Sequence, residues 1–213
     1  MSTAPPNAPL ERFSAGAIKA RGGVVGNGDE ERWMEAYTGG DRLAFTRLFR
    51  VLAPRVHAFY LRSFREPAVA DELLQTTFLR VHRARATYRI GAPVAPWIFT
   101  IAANVRRDEL RRRLRRKEDL DEEALSLAMA AEGAESIIAS QENAEIADRV
   151  RAAVDALPEG QRVVIQLHRF EGFPLPEVAR ILGLKEVAVR VRASRAYDRL
   201  RVELAALRGS SPS

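Results

Sequence analysis

Apolar residues recur along most of this chain at the spacing of helices and almost nowhere at the spacing of strands. The first run is short, from near Asp29 to Tyr37, and stops at Gly39-Gly40. Asp41 then offers a helix cap. Beyond it Phe45, Leu48, Phe49, Leu52, Val56, Phe59 and Tyr60 mark one helical face. Pro54 lies inside this run and is expected to kink or split it, because proline removes a backbone donor and crowds the preceding turn. Pro67 suits the first position of a helix whose stripe is Ala70, Leu73, Leu74, Thr77, Phe78 and Val81. A loop holding Tyr88, Gly91, Pro93 and Pro96 precedes a helix carrying Trp97, Ile98, Ile101, Ala102 and Val105 on one face. That helix then turns almost wholly basic, from Arg106 and Arg107 through Arg111, Arg112, Arg113, Arg115, Arg116 and Lys117.

The pattern fades between Glu118 and Asn143, where Ala, Glu and Ser dominate; this stretch reads as a linker, with an ordinary surface helix as the alternative. Periodicity returns with Ile146, Val150, Ala153, Val154 and Leu157, breaks at Pro158, and resumes with Val163, Val164, Leu167 and Phe170. A short helix, Glu177 to Leu182, ends at Gly183, and a last one is expected from about Lys185 to Leu207. Val187, Val189 and Val191 also alternate at period two, but the 3.6-residue pattern continues for four more turns and favours helix. The expected fold is therefore all-α: two small helical domains joined by a flexible acidic linker. The boundaries expected are a tail over 1–28, a helical domain over 29–117, the linker over 118–143, a helix-turn-helix domain over 144–208 and a tail over 209–213.

Length changes this picture little, since 213 residues suit one large domain or two small ones. Charge sharpens it. The net balance is +6, but residues 1–117 carry +11, residues 118–148 carry −10 with no Lys or Arg, and residues 149–213 carry +5. Two basic modules flank an acidic connector, and basic surfaces attract polyanions. The absence of cysteine excludes disulfides, thiolate metal sites and cysteine nucleophiles. No apolar run approaches the roughly 20 residues that span a bilayer, so membrane insertion is not expected. His57, His82 and His168 lack metal-ligand spacing, Gly26-Asn27-Gly28 lacks the setting of a phosphate loop, and no Ser, His and Asp constellation is visible. The chain is read as carrying no metal, no cofactor and no catalytic residue; His168 is read as structural.

A short helix, a tight turn at Gly183 and a longer helix spell helix-turn-helix. Val189 would anchor the second helix in the core. Lys185, Arg190, Arg192, Ser194, Arg195 and Arg199 would lie opposite, where arginines can meet guanine edges or phosphates.

These residues carry a family resemblance. Leu157-Pro158, Gln161-Arg162-Val163-Val164, Phe170-Glu171-Gly172, Glu177-Val178-Ala179, Leu182-Gly183, Val189 and Arg195-Ala196 resemble region four of the sigma-70 transcription initiation factors, of the extracytoplasmic-function (ECF) group. The first half agrees independently. Asp41, Ala44, Phe45 and Leu48 resemble the start of region two, Asp71-Glu72-Leu73-Leu74-Gln75 with Phe78-Leu79 its polymerase-docking segment, and Trp97-Ile98, Ile101-Ala102, Asn104, Asp108 and Arg111 its promoter-reading helix.

The resemblance implies a cytoplasmic sigma factor that binds bacterial core RNA polymerase, directs promoter-specific initiation and answers to an anti-sigma factor. It implies polymerase docking by Asp71, Glu72, Leu74, Gln75 and Phe78. It implies reading of the minus-ten element by Tyr88, Asn104, Arg107, Arg111 and Arg112, and of the minus-thirty-five element by the recognition helix. Several positions depart from the family pattern. Thr76 replaces a carboxylate, Pro174 stands where a serine caps, and Val187-Ala188-Val189 replaces Gly-Thr-Val. Val191 replaces a serine on the reading face. The competing reading is a free-standing helix-turn-helix regulator, which would have no need of a second DNA-reading helix at Trp97–Arg111.

Overall fold

The computed structural model describes residues 28–120 and 149–208. The expected tails and connector lie outside these residues, apart from Gly28 and residues 118–120, which extend a helix. The first described segment forms α1 (Asp29–Thr38), α2 (Arg42–Phe64), α3 (Pro67–Ala84), a 3-10 turn (Arg85–Thr87) and α4 (Val94–Leu120). In the second, residues 149–155 are helical, followed by α5 (Glu159–Ile165), a π-helical turn (Gln166–Phe170), α6 (Leu175–Leu182) and α7 (Glu186–Arg208). All regular structure among the described residues is helical.

Local chemistry sets the ends of these helices. The Asp41 carboxylate accepts the N–H groups of Leu43 (2.8 Å) and Ala44 (3.3 Å), satisfying donors that a helix start leaves free. Pro67 opens α3, where its missing N–H costs nothing. Gly183 closes α6 at φ +65°, and the next amide, Leu184 N–H, reaches back to the Ala179 carbonyl at 2.9 Å.

Pro54 does not split α2, which runs unbroken from Arg42 to Phe64. Leu48, Leu52, Ala53, Val56 and Phe59 on both sides of it are at most 1% exposed. Burying large apolar side chains is worth about 1.5–3 kcal/mol each, and several of them outweigh the roughly 3 kcal/mol an internal proline costs.

Helices α1–α4 surround one core rich in rings. Phe49 meets Phe78 edge-on at 4.7 Å, and Phe59 meets Phe99 at 5.8 Å. Tyr60 is fully buried, and its hydroxyl donates to the Ala102 carbonyl (3.1 Å) and lies 2.5 Å from Thr77 Oγ1, tying α2, α3 and α4 together. The second module adds Val164, Leu167, Val178, Ile181, Val189 and Ala193 to the same contiguous core, with a separate satellite of Val154, Leu157, Ile165 and Ala196.

Candidate polymerase and nucleic-acid interfaces

On α3 the expected docking residues divide by burial. Asp71 is partly exposed and pairs with His57 Nε2 at 3.0 Å. Glu72 and Gln75 are exposed, with Glu72 Oε1 3.7 Å from Arg112. Leu74 and Phe78 face the other way, at 6% and 1% exposure. This corrects the expectation that they touch a partner: the same 3.6-residue period that puts Asp71 and Gln75 outside turns Leu74 and Phe78 into the core.

Tyr88 is a second correction. Its ring is 6% exposed, packs edge-on against Trp97 at 5.2 Å, and its hydroxyl donates to the Ala92 carbonyl. Burial, with Glu31 and Glu35 nearby, pushes its hydroxyl pKa up to about 12. It anchors the loop and offers no free face for stacking. Glu31 fixes the far end of that loop by accepting the Val94 N–H at 3.3 Å.

Along α4, Asn104 and Arg111 are exposed, and Arg107 Nη1 donates to Asn104 Oδ1 at 2.9 Å. Arg112 and Arg113 both bind the buried Glu109, with Arg112 Nη2 at 2.5 Å and Arg113 Nε at 2.7 Å. Arg106 is 4% exposed. Burial lowers its pKa and Glu159 opposes that shift.

The helix-turn-helix forms as expected from α6, Gly183 and α7. Val189 is fully buried, and Lys185, Arg190, Ser194, Arg195 and Arg199 are exposed. Arg190 Nε donates to Glu186 Oε1 at 2.9 Å, holding that guanidinium near the helix start. Arg192 is only partly exposed, because its guanidinium lies against Gly160 at the start of α5. Val187 (72% exposed) and Val191 (42%) form an apolar pair one turn apart among these cations.

The two modules also touch, which periodicity did not anticipate. Glu171, just after the π-helical turn, has a carboxylate only 4% exposed; it accepts from Arg55 Nε at 3.3 Å and pairs with Arg62. Arg65 pairs with Asp155 and Arg106 with Glu159. Gln166, wholly buried, donates to the Arg62 carbonyl at 3.0 Å and accepts from Ser63 Oγ at 3.2 Å. Arg107 Nη2 donates to the Leu182 carbonyl at 3.0 Å, and Phe173 meets Phe99 edge-on at 5.2 Å. His168 Nδ1 lies 2.7 Å from the Phe173 carbonyl and so braces this loop, a structural role.

Residues 48–116 match the family described as Sigma-70 region 2, and residues 147–200 that described as Sigma-70, region 4. The chain is 36% identical to the RNA polymerase sigma factor CarQ of Myxococcus xanthus over 79% of its own length and 93% of that protein. The chain belongs to the sigma-70 family, in its ECF group. It is also 30% identical to the ECF sigma factor SigM of Mycobacterium tuberculosis, over 78% of this chain and 80% of that one. Its fold matches CnrH, solved in complex with the cytosolic domain of CnrY, with a TM-score of 0.61 and 25% identity over 86% of this chain and 99% of that one. The sigma region-two match therefore covers α3 and most of α2 and α4, and the region-four match covers α5, α6 and most of α7, with the helix-turn-helix in α6 and α7.

Proposed function

We propose that this sigma factor joins core RNA polymerase through Asp71, Glu72 and Gln75 and reads a promoter at two places. Region two, through Asn104, Arg107, Arg111 and Arg112, takes the minus-ten element. Region four, through Lys185, Arg190, Arg192, Ser194, Arg195 and Arg199, takes the minus-thirty-five element. The observation that carries this reading is the presence of both sigma regions in one chain, each with an exposed cationic helix. A free-standing regulator would need only the second.

The module boundaries that fit this reading are 29–117 and 144–208, with 118–143 as connector. The chain supplies recognition, and bond formation belongs to the polymerase, so the protein works in the cytoplasm and is not itself an enzyme. No helix among the described residues is long and apolar enough to cross a membrane. A protein inhibitor of the anti-sigma type completes the set of partners that this reading implies.

Base choice in region four follows from the side chains on its open face. Arg195 suits a guanine edge through two parallel N–H donors. Val187 and Val191 have no hydrogen bond to offer and suit thymine methyl groups, which a serine at Val191 would not favour.

The test is run-off transcription with purified core polymerase on a matrix of promoter variants. Arg195→Ala is expected to relax preference at one minus-thirty-five position, at a loss of roughly 1–3 kcal/mol. Substituting uracil for thymine, which deletes only the methyl, is expected to weaken wild type but not Val191→Ala. An Arg195→Ala protein with unchanged output and unchanged base preference at every position would sink the recognition-helix assignment.

A further inference from the structure

Helix α1 lies outside the residues matched as sigma region two, yet it holds both ends of the loop between α3 and α4. It is itself seated by Met34, fully buried, and Tyr37, 5% exposed. At the near end of the loop the Tyr37 hydroxyl lies 2.6 Å from His82 Nδ1, in the last turn of α3, and the Arg85 guanidinium sits 6.0 Å from the centre of the Tyr37 ring. At the far end Glu31 Oε1 accepts the N–H of Val94, the first residue of α4, at 3.3 Å. Pro93, just before α4, carries no side-chain acceptor, so the cap has to come from elsewhere. Glu31 thus acts as a helix cap supplied from another helix, and its charge suits the positive end of α4.

Between these anchors the chain forms a closed turn. Ala92 N–H donates to the Arg89 carbonyl at 3.0 Å, and Gly91 at φ +80° takes the left-handed conformation that the third position of such a turn favours in glycine. Tyr88 N–H donates to the Arg85 carbonyl at 3.2 Å, and the Tyr88 hydroxyl closes the turn on the Ala92 carbonyl. The turn leaves Arg89 and Ile90 outside, Ile90 at 59% exposure. A cation and an apolar side chain held side by side suit a phosphate and a base face of unpaired DNA.

We infer that Glu31 is a positioning residue for the minus-ten element: capping α4 from α1, it fixes the turn at 88–92 and, through it, the place of Arg89 and Ile90 beside the DNA strand. The inference rests on the two-site promoter reading proposed above. A polymerase copies a single-stranded template, so the duplex near the start site has to unpair, and contacts to the freed bases offset that cost. A turn ordered beforehand loses little backbone freedom on contact, which leaves more of the contact to hold the open strand. The cap acts on the loop and not on the rest of α4. Phe99 packs on Phe59 at 5.8 Å and the Ala102 carbonyl accepts from the Tyr60 hydroxyl at 3.1 Å, so Asn104 and Arg107 beyond them keep their places without Glu31.

The experiment uses the full chain joined to core polymerase, and a single-stranded oligonucleotide carrying the minus-ten sequence of a promoter at which wild type initiates. Glu31→Ala is expected to weaken binding of this strand about five- to tenfold, the size of a lost helix cap. Glu31→Gln keeps a carbonyl acceptor at the same reach and is expected to bind close to wild type. Affinity for core polymerase and base preference at the minus-thirty-five element are expected to be unchanged in both. Replacing Arg89 and Ile90 together by Ala is expected to weaken the strand as well. Adding Glu31→Ala to that pair is expected to change nothing further, because the residues that Glu31 positions are gone. Circular dichroism and the urea midpoint check that each variant folds.

Unchanged strand binding by Glu31→Ala overturns the inference. So does a Glu31→Ala loss that persists in full on the Arg89→Ala, Ile90→Ala background, which would make Glu31 a stabiliser of the whole module. Glu31→Gln as damaging as Glu31→Ala would assign the effect to charge and overturn the capping role. A wild type that starts transcription at no promoter removes the functional reading and this inference with it, whereas an active wild type whose strand binding ignores Glu31→Ala removes only the role of Glu31.

Discussion

Region two and region four are both small helical modules, but they are built from different material. Region two buries rings: Phe59, Tyr60, Phe78 and Phe99 are each at most 1% exposed. Region four buries branched aliphatic and small residues, with Val164, Leu167, Val178, Val189 and Ala196 all fully enclosed. The boundary between them carries ion pairs as well as apolar contact. The apolar core is nonetheless continuous from one module to the other, with Phe99 against Phe173 at the junction, and the ion pairs lie around that junction.

Deep truncation in one module should test that division most strongly. Phe59→Ala is expected to cost about 3–5 kcal/mol and Leu167→Ala about 2–5 kcal/mol. In calorimetry, the first should lower the transition of region two and the second that of region four. A common loss of both transitions from either change would mean that the cores are one cooperative unit.

The hydroxyl of Tyr60 provides a finer probe of region two. Tyr60→Phe keeps the ring and removes the bond to the Ala102 carbonyl and the contact with Thr77 Oγ1, which keeps its own bond to the Leu73 carbonyl. The expected loss is about 1–3 kcal/mol, read from the urea midpoint of the same transition. Asp41→Ala should cost about 1 kcal/mol by uncapping α2, again in region two alone, and Asp41→Asn should restore most of it.

The smallest effect concerns the seam. Glu30 has its pKa raised by burial, against the pull of Arg55. Its folded pKa therefore lies above its unfolded one, so its stabilising contribution is complete below the unfolded value and is lost as pH rises through the folded one. Glu30→Gln should thus be slightly more stable than wild type at pH 7. The gap should close as the pH falls through the range just above 4.5, the ordinary Glu value, when denaturation midpoints are compared. A gap that widens on acidification would mean that the carboxylate is favourably paired.

Much of this organisation is visible in the chain itself, for a physical reason. Amphipathic stripes such as Ala70–Val81 report burial directly, and Asp41, Pro67 and Gly183 punctuate helices through local chemistry. Pro54 misled because a sum of buried contacts overrode a local penalty. Leu74, Phe78 and Tyr88 show that membership of a functional segment says nothing about which way a side chain turns; period and burial decide that.

The seam was hidden for a different reason. Glu171, Asp155, Arg62 and Arg65 read singly as surface charges, and Gln166 as one more polar residue, since nothing local marks a partner some hundred residues away. The run at Arg106–Lys117 concealed a division of labour, with Arg106 buried and Arg111 exposed. An arginine one helical step after Val105 on a core stripe is the signal that could have been used.

Gly160 has a consequence of another kind. A methyl group added there would lie 3.4 Å from Arg192 Nη1 and 3.5 Å from its Cζ, so alanine just fits while any longer side chain displaces the guanidinium. The displaced group belongs to α7, the second helix of the helix-turn-helix. A change at a position well outside that helix would therefore free a cation on its surface and leave every residue of α7 as it was. The size of the residue at 160 thus sets how tightly the Arg192 guanidinium is held, without any change in α7 itself.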